Sequence, residues 1–325
     1  MKTRISARRG RVIAAAGALA LTASGIGLAQ ATATPAPAPA QAEAPKIPVE
    51  KVQGHLAELQ KIAEKNGGNR AHGEAGYKAS VDYIKKKLDA AGFTTKVEEF
   101  DGQGKKGYNL IADWKGGDEG KTLMVGGHLD SVPEGPGIND NGSGSSTLLE
   151  TALAVSQSKY KPTKHLRFAW WGGEELGLLG SSAYVKSLKD DEKSKISGYL
   201  NFDMTGSPNP GYFVYDSSKE PEGSAAIQKE LTASLKEGKQ EAEPLDINGR
   251  SDHAAFSEAG IPNGGTFSGA EEIKSEEQAK KWGGKAGEAF DPCYHSKCDT
   301  TKNIDEKSLD IQAQAIAKSV WELSK

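Results

Sequence analysis

Apolar residues recur with two different spacings from about residue 51 onward. Between Val52 and Ile62 they return every three or four positions, which is typical of the buried face of a helix. The run from Leu123 to Val125 is continuously apolar instead, as expected of a buried strand. These spacings predict helices at 51–65, 73–91, 145–156, 181–188, 221–236, 252–259 and 308–323, and strands at 93–100, 108–114, 122–125, 165–171, 198–204, 212–215 and 262–267.

The order of these elements predicts the fold class. Strands alternate with helices through the centre of the chain, which favours an α/β fold with a mixed, mostly parallel β-sheet flanked by helices on both faces. The sequence has neither an internal repeat nor a second linker, so we expect a single domain. In sheets of this kind, ligands bind beyond the carboxyl ends of the strands.

The first 43 residues differ from the rest. Five basic residues lie between Lys2 and Arg11, an apolar stretch rich in Ala, Gly and Leu follows to about Leu28, and small residues suited to cleavage end it. This order is typical of a secretory signal peptide. A membrane anchor is the alternative, but Gly, Ser and Thr dilute the apolar run. We predict a signal peptide at 1–33, a Pro/Ala-rich linker or propeptide at 34–43 and the folded domain at 44–325.

Composition narrows the partners and the compartment. Of 325 residues, 36% are hydrophobic and 26% charged, as in an ordinary globular protein. Loss of residues 1–43 moves the formal net charge from −3 to −7, because five basic residues and one acidic residue leave. An acidic chain without a basic cluster argues against nucleic-acid and membrane partners. Cys293 and Cys298 are expected to form a disulfide, with two free thiols as the alternative, and we predict a secreted, extracellular monomer.

Metal-binding residue types stand at the predicted strand ends. His128 follows the strand at 122–125, and Glu174 and Glu175 follow the strand at 165–171. Acids placed directly after buried strands are costly unless they are paired or bind a metal. Two imidazoles and three carboxylates suit Zn²⁺, and five ligands are too many for one tetrahedral ion with an open position. The sequence therefore predicts two zinc ions sharing one carboxylate, with ligands drawn from His128, Asp140, Glu175, Asp203 and His295.

A structural role is the alternative for each of these residues taken alone. A single His or Asp at a strand end is more often a hydrogen-bonded polar residue than a ligand. We interpret three other histidines in that structural sense: His55, His72 and His165.

Five separated motifs, in order, resemble those of the secreted co-catalytic di-zinc aminopeptidases, and most closely their leucine-preferring streptomycete members. The resemblance extends over almost the whole chain from about Ala44, so residues 44–325 would form the catalytic domain. The motifs are HLD at 128–130, GINDNGSG at 137–144, WGGEELG at 171–177, NFDM at 201–204 and CYH at 293–295, with further matches at 67–73 and 249–253.

The resemblance implies a role for each matching residue. His128 and Asp203 would bind one zinc ion, His295 and Glu175 the other, and Asp140 would bridge them. The resemblance further implies Glu174 as the general base that takes a proton from a zinc-activated water, Tyr294 as a hydrogen-bond donor to the developing oxyanion, and Asp130 as the residue that orients His128.

The resemblance also implies an aminopeptidase that removes a large, hydrophobic, leucine-like N-terminal residue from peptides or small proteins. Glu174, Asp203 and the main-chain carbonyl of Arg250 would hold the free amine. Met204 and Phe267 match an apolar specificity pocket, for which plain core packing is the alternative. The peptide bond Asp140–Asn141 is expected to be cis.

One site departs from the family's pattern. Close relatives bind calcium through one aspartate near the mature N-terminus and two in the last helix. In this sequence Lys46 and Gln314 replace two of these residues, and only Asp310 matches. An ammonium group repels a cation, so we predict that the calcium site is absent or weak.

Three other functions remain open from the sequence. A zinc glutaminyl cyclase on the same scaffold would need one zinc ion rather than two. An exported binding protein would be expected to have lost ligands or the base, yet all of them are present. A carboxypeptidase would tolerate a blocked substrate amine, whereas an aminopeptidase would not.

Overall fold

The computed structural model describes residues 43–158 and 160–325. The predicted signal peptide at 1–33 and nearly all of the predicted linker at 34–43 lie outside the described residues. Within them, eight strands form one mixed sheet in the order β1-β2-β4-β3-β5-β8-β6-β7. The strands are β1 Thr94–Gly102, β2 Lys105–Trp114, β3 Asp118–His128, β4 Lys164–Trp171, β5 Ile196–Phe202, β6 Phe213–Tyr215, β7 Glu243–Leu245 and β8 Asn263–Phe267.

The centre of the sheet is parallel. Strands β4, β3, β5 and β8 are neighbours and run in the same direction. The pairs β1–β2, β2–β4 and β6–β8 are antiparallel, and β7 pairs parallel with β6. In register, His128 lies opposite Trp171, and Gly126 lies opposite Asn201. The carboxyl ends of β3, β4 and β5 therefore meet at one edge of the sheet.

Helices cover both faces of the sheet, because consecutive residues of the central strands point to opposite sides. Leu123 and Val125 belong to one apolar cluster, whereas Met124 between them belongs to a second. The first cluster packs under α1, α2, α3, α6 and α9, and the second under α4 and α7. The helices are α1 Val49–Lys65, α2 Ala75–Ala90, α3 Gly144–Ser158, α4 Leu179–Ser187, α5 Asp190–Lys193, α6 Ser224–Glu237, α7 His253–Glu258, α8 Glu276–Trp282 and α9 Glu306–Leu323.

The predicted fold class is confirmed, and most predicted elements are present within a few residues of their expected bounds. The strand predicted at 198–204 ends earlier, at Phe202, because Met204 has a left-handed backbone with φ of 50°. Helices α5 and α8 and strand β7 were not predicted from the sequence. In the described part of the chain, no helix is both long and apolar enough to cross a membrane.

Candidate active site

The residues predicted to bind metal lie together at the carboxyl edge of the central strands. His128 is the last residue of β3, and Asp203 follows β5 directly. Glu174 and Glu175 open a short 3₁₀ helix after β4, where Gly173 turns the chain with φ of 68°. Asp140 lies in the turn Ile138–Ser143, where its own backbone is not helical, and its peptide bond to Asn141 is cis, as predicted.

His295 reaches the same place from a distant part of the sequence. It lies in the segment 293–298, which the predicted disulfide between Cys293 and Cys298 closes. His295 has a left-handed backbone, with φ of 52°, and its side chain is 40% exposed. The site is therefore open to solvent on the side of His295 and closed on the side of His128, whose side chain is 1% exposed.

Asp140 stands between the two imidazoles. Its Oδ1 lies 3.1 Å from Nε2 of His128, and its Oδ2 lies 3.2 Å from Nε2 of His295. Each imidazole nitrogen faces one further carboxylate: Nε2 of His128 lies 3.3 Å from Asp203, and Nε2 of His295 lies 2.9 Å from Glu175. The site thus consists of two His–carboxylate pairs joined by one shared aspartate.

The electrostatics of the site reflect an excess of carboxylates. Burial raises the pKa of Glu175 to about 8, and the neighbouring Asp140 adds to the rise. Burial also raises the pKa of Glu174 well above its usual range. Burial opposes the ionisation of His295, but Asp140 and Glu175 outweigh it and raise the pKa of His295 to about 10.

The geometry fits metal binding. Nδ1 of His128 donates a hydrogen bond to the main-chain oxygen of Asp130 at 3.1 Å. The lone pair of Nε2 therefore faces carboxylate oxygens, an arrangement that requires a proton or a metal cation between them. Buried oxygens of Glu175 and Asp203 have no hydrogen-bond partner within the described residues. Ligand atoms of two triads, His128–Asp140–Glu175 and His128–Glu174–Asp203, lie within 4.8 Å of one another. A nitrogen and oxygen donor set of this kind suits Zn²⁺.

Contacts around the site hold the carboxylates in place. The hydroxyl of Ser251 donates to Oδ2 of Asp203 at 2.7 Å. The main-chain N–H of Asp140 donates to Oδ2 of Asp299 at 3.0 Å, and that of Asn139 donates to Oδ1 at 2.7 Å. Asp130 is fully buried, and its Oδ1 accepts from the main-chain N–H of Glu174 at 3.2 Å. Asp130 thus contacts both His128 and Glu174.

A buried arginine holds the two loops that carry His128 and Asp140. Arg70 is completely buried and donates from Nε to the carbonyl of Pro136 at 2.9 Å and from Nη2 to that of Gly137 at 2.6 Å. Its Nη1 donates to the carbonyl of Leu129, the residue after His128. Burial lowers the pKa of Arg70 to about 10, so the side chain stays cationic at neutral pH. One fixed charge therefore joins the end of β3 to the turn that presents Asp140.

A cavity of about 440 Å³ opens beside the carboxylates. Its apolar wall includes Met204, Leu245 and Phe267, and its polar part includes Arg250 and Tyr294. Nη2 of Arg250 donates to Glu271 at 2.8 Å and lies 3.4 Å from the hydroxyl of Tyr294. The residues predicted for substrate binding thus line one cavity, which also contains Asp140, Glu174, Glu175, Asp203 and His295.

The three histidines interpreted as structural lie elsewhere and contact other partners. His55 bonds Glu150 at 2.6 Å and Tyr83 at 2.6 Å. His165 bonds Asp113 at 2.9 Å. His72 lies 3.2 Å from the carbonyl of Gly102.

Sequence reasoning assigned no role to several residues that support the site. Ser251 and Asp252 lie in the motif at 249–253, yet a motif does not reveal which side chain turns inward. Asp252 is fully buried and neither of its oxygens has a hydrogen-bond partner among the described residues. Burial raises its pKa to about 7. The one sequence signal for Asp299 was its position directly after Cys298, which belongs to the predicted disulfide.

Known proteins are similar to this chain in sequence and in fold. Residues 109–320 match the sequence profile of Peptidase family M28. The chain is 59% identical over 279 residues, 86% of its length, to Leupeptin-inactivating enzyme 1 of Streptomyces exfoliatus, and the match covers 63% of that protein. It is 51% identical over 216 residues, 65% of its length, to an aminopeptidase of Pseudomonas aeruginosa, of which 40% is covered. The zinc aminopeptidase BSAP of Bacillus subtilis has a similar fold, with a TM-score of 0.74 at 19% identity, covering 87% of this chain and 97% of that one.

Proposed function

The chain belongs to peptidase family M28, and from this membership we propose that it is a zinc-dependent aminopeptidase. It hydrolyses the N-terminal residue, preferably large and leucine-like, from peptides or small proteins with a free N-terminus. The observation that carries the proposal is the arrangement around Asp140, whose two carboxylate oxygens face two imidazoles. Each imidazole in turn faces a further carboxylate, so the donors form two linked sets.

Two zinc ions fit these donors. His128 and Asp203 would hold one ion, His295 and Glu175 the other, and Asp140 would contribute one oxygen to each. The unpartnered buried oxygens of Glu175 and Asp203 support this assignment, because buried acceptors without a partner are costly. When bound, the ions supply Lewis-acid polarisation of the substrate carbonyl and lower the pKa of the attacking water.

The residues of the chain itself move protons and orient groups. Glu174 takes the proton of the attacking water and returns it to the leaving amine, and its carboxylate lies within 4.8 Å of ligand atoms of His128 and Asp203. The hydroxyl of Tyr294 donates a hydrogen bond to the oxygen that becomes negative. Asp130 fixes the ring of His128 through its main-chain oxygen, while its carboxylate fixes the backbone of Glu174.

The same cavity accounts for selection of a free amine. The carboxylates of Glu174 and Asp203 and the main-chain oxygen of Arg250 accept hydrogen bonds from the substrate ammonium. A peptide with a blocked amine would leave these acceptors unpaired, which costs several kcal/mol, on the order of 10⁴-fold in kcat/KM. Met204 and Phe267 line the apolar wall that receives the side chain of the first residue.

The rival functions make different demands on the site. A glutaminyl cyclase needs one zinc ion, and the second pair, His295 with Glu175, would then have no purpose. A binding protein needs no base, yet Glu174 remains, with a ligand atom within 4.8 Å of those of His128 and Asp203. A carboxypeptidase needs a cation for the substrate's terminal carboxylate within the cavity, where Arg250 is already paired with Glu271 and Glu272.

The decisive experiment is hydrolysis of leucine p-nitroanilide beside its amine-acetylated analogue, before and after chelation. We expect cleavage of the free-amine substrate alone, loss of activity on chelation, and recovery with about two zinc ions per chain. Recovery with one ion would reject the two-zinc site, and cleavage of the acetylated analogue would reject the aminopeptidase assignment. Absence of cleavage by folded, zinc-loaded protein would favour the cyclase or the binding protein.

We also propose that the protein is secreted as an extracellular monomer, without nucleic-acid or membrane partners, and that it does not depend on calcium. The region around Lys46 supports the last point. The side-chain amide of Gln314 accepts from the main-chain N–H of Ile47 at 3.0 Å and donates to its carbonyl at 2.6 Å. The same amide donates to Asp310 at 2.8 Å. These direct bonds occupy the groups that a calcium ion would otherwise contact.

A further inference from the structure

A series of buried hydrogen bonds leads from the end of β4 to Asp203. The indole N–H of Trp171 donates to the hydroxyl of Tyr199 at 2.8 Å, and that hydroxyl donates to Oδ1 of Asn201 at 2.8 Å. Nδ2 of Asn201 donates to the hydroxyl of Ser251 at 2.8 Å, and this hydroxyl donates to Oδ2 of Asp203 at 2.7 Å. We call these five residues the Trp171 network. The functions assigned above use neither Trp171, Tyr199 nor Asn201.

The direction of donation in the Trp171 network is fixed from both ends. An indole N–H can only donate, and an ionised carboxylate can only accept. Ser251 gives its single hydroxyl hydrogen to Asp203, so Asn201 must present an N–H to Ser251 and its oxygen to Tyr199. Burial raises the pKa of Tyr199 well above its usual range, so its hydroxyl keeps the hydrogen that it donates to Asn201. One arrangement of hydrogens therefore satisfies every bond.

The sheet leaves room for this network at one glycine. Trp171 lies on β4 and Tyr199 on β5, and β3 runs between these two strands. A Cβ atom at Gly126 of β3 would lie 2.9 Å from the hydroxyl of Tyr199 and 3.0 Å from Nε1 of Trp171, closer than such atoms normally approach. Trp171, Tyr199 and Asn201 are fully buried, and the ring of Tyr199 stacks on Phe256 with centroids 3.8 Å apart. Packing thus fixes the middle of the network.

The network determines which oxygen of Asp203 is free. Ser251 occupies Oδ2, whereas Oδ1 has no hydrogen-bond partner among the described residues and lies 3.3 Å from Nε2 of His128. The second amide hydrogen of Asn201 is directed to the hydroxyl of Tyr215 at 3.0 Å, so the amide has no freedom to rotate. Because the last torsion of an aspartate is otherwise soft, the fixed hydroxyl of Ser251 holds Oδ1 toward the imidazole.

We propose that Trp171, Tyr199 and Asn201 are positioning residues for one of the two zinc ions. They act through Ser251, whose hydroxyl holds the carboxylate of Asp203 in its metal-binding orientation. This inference rests on the proposed two-zinc site. Residues that orient metal ligands typically contribute about 10- to 100-fold to metal affinity, so removal of one link should weaken zinc binding measurably.

The test measures the affinity of each of the two zinc ions, by competition between the zinc-loaded protein and a chelator of known affinity. Ser251→Ala removes the last link, and Tyr199→Phe removes a middle link but keeps the ring. Each variant should weaken the binding of the same zinc ion by about 10-fold and leave the other ion within about threefold of wild type. In the double variant, Tyr199→Phe should add less than about twofold to the effect of Ser251→Ala, because it acts through that residue.

Tyr160→Phe is the matched control. The hydroxyl of Tyr160 is also buried, donates to the main-chain oxygen of Trp321 at 3.1 Å and lies outside the Trp171 network. The control should therefore lose one buried hydrogen bond and retain both wild-type zinc affinities. Asn201→Leu removes the next link and serves as a second variant, which should weaken the same zinc ion at least as much as Tyr199→Phe does.

Three results would contradict the proposal in different ways. Wild-type zinc affinities in Tyr199→Phe and Asn201→Leu would overturn the positioning role. Equal weakening of both ions would indicate a general disturbance of the fold, and additive effects of Tyr199→Phe and Ser251→Ala would indicate independent action; each would overturn it as well. Wild-type protein that binds fewer than two zinc ions would instead reject the proposed two-zinc site, and the positioning role with it.

Discussion

Two clusters of histidine and carboxylate lie at opposite ends of the same strands and differ in how completely they are paired. At the amino end of β4, His165 and Arg167 share the carboxylate of Asp113 on β2; we call this the Asp113 cluster. At the carboxyl end lies the candidate active site, with two imidazoles among several carboxylates. In the Asp113 cluster two basic side chains share one acid, and in the active site acids outnumber basic side chains.

The Asp113 cluster satisfies its own hydrogen bonds. Nε2 of His165 lies 2.9 Å from Oδ1 of Asp113, and its Nδ1 lies 3.3 Å from the carbonyl of Gly116. Arg167 donates to both oxygens of Asp113, at 2.7 and 3.2 Å, and to the hydroxyl of Tyr184 at 3.0 Å. No oxygen of Asp113 is left unpartnered, whereas oxygens of Asp130, Glu175 and Asp203 are, among the described residues.

The charge balance distinguishes the Asp113 cluster, which stabilises the fold, from the functional cluster in the candidate active site. Both have buried histidine, short contacts and shifted pKa values, so none of these features alone identifies a site. Unpartnered carboxylate oxygens are different, since burying a charged acceptor without a partner is costly. They are expected where an outside cation or substrate completes the set.

The largest effect is expected from Glu174→Gln, which keeps the shape of the side chain and removes its ability to accept a proton. We expect kcat for leucine p-nitroanilide to fall on the order of 10³-fold, with zinc content and thermal stability near wild type. Steady-state kinetics and metal analysis measure both. A variant that kept a tenth of the wild-type activity would exclude Glu174 as the base.

Tyr294→Phe should have the next largest effect. It removes one hydrogen-bond donor and leaves the ring, which stacks on His295 with centroids 3.8 Å apart. We expect kcat to fall by about 10²-fold, with KM changed little, because the bond strengthens as the oxyanion develops. An increase in KM at constant kcat would show instead that Tyr294 serves ground-state binding.

Asp113→Asn should have the opposite effect and reduce stability rather than activity. The variant loses the only carboxylate that pairs with His165 and Arg167 in the Asp113 cluster. We expect the free energy of unfolding to fall by about 1–2 kcal/mol, while kcat and KM stay within twofold of wild type. Chemical denaturation and activity assays on the same preparation measure the two quantities. A large loss of activity without loss of stability would contradict the division between the clusters.

The loss of stability in Asp113→Asn should depend on pH. The hydrogen bond to Asp113 raises the pKa of His165, and burial opposes the rise. A raised pKa means that protonated His165 stabilises the fold fully below its ordinary pKa of about 6.5 and that this contribution disappears as pH rises through the raised value. Asp113→Asn should therefore cost more stability at about pH 6 than at about pH 9. An equal cost at both pH values would show that His165 contributes no charge to the cluster.

Calcium should have the smallest effect. Because Gln314 bonds the main chain of Ile47 directly, we expect millimolar CaCl₂ to shift the midpoint of thermal unfolding no more than the same concentration of MgCl₂. Differential scanning calorimetry measures both shifts. A rise specific to calcium, with micromolar affinity, would contradict the proposal.

The central strands and the convergence of His128, Glu175 and Asp203 could be predicted from the sequence, because buried parallel strands are continuous apolar runs and their carboxyl ends share an edge. Helix α8 could not be found from apolar spacing, since none of its residues is buried. Its capping box of Ser275 and Gln278 was the available signal. Strand β7 has only three residues and includes Pro244, so its local pattern does not predict a strand.

The residues that hold the site in place were harder to predict than the residues of the site itself. Asp299 and Arg70 act on backbone atoms of residues far away in sequence, and such contacts leave no periodic pattern. Arg70 was visible only as part of the motif at 67–73, and its three carbonyl partners become apparent when the loops at 129 and 136–137 are seen together. Long-range side-chain to main-chain bonds depend on the packed fold, not on local spacing.

The position of Arg70 has a consequence for metal exchange. The charged side chain of Arg70 already joins the loops next to His128 and Asp140, so their arrangement does not require a bound metal ion. Small zinc domains fold only when the metal binds, which makes loading and folding one event. For this protein we expect the two events to be separate, so that a chain from which a chelator has removed the metal keeps its fold. It could then be reloaded with zinc, cobalt or manganese in turn, without refolding between exchanges.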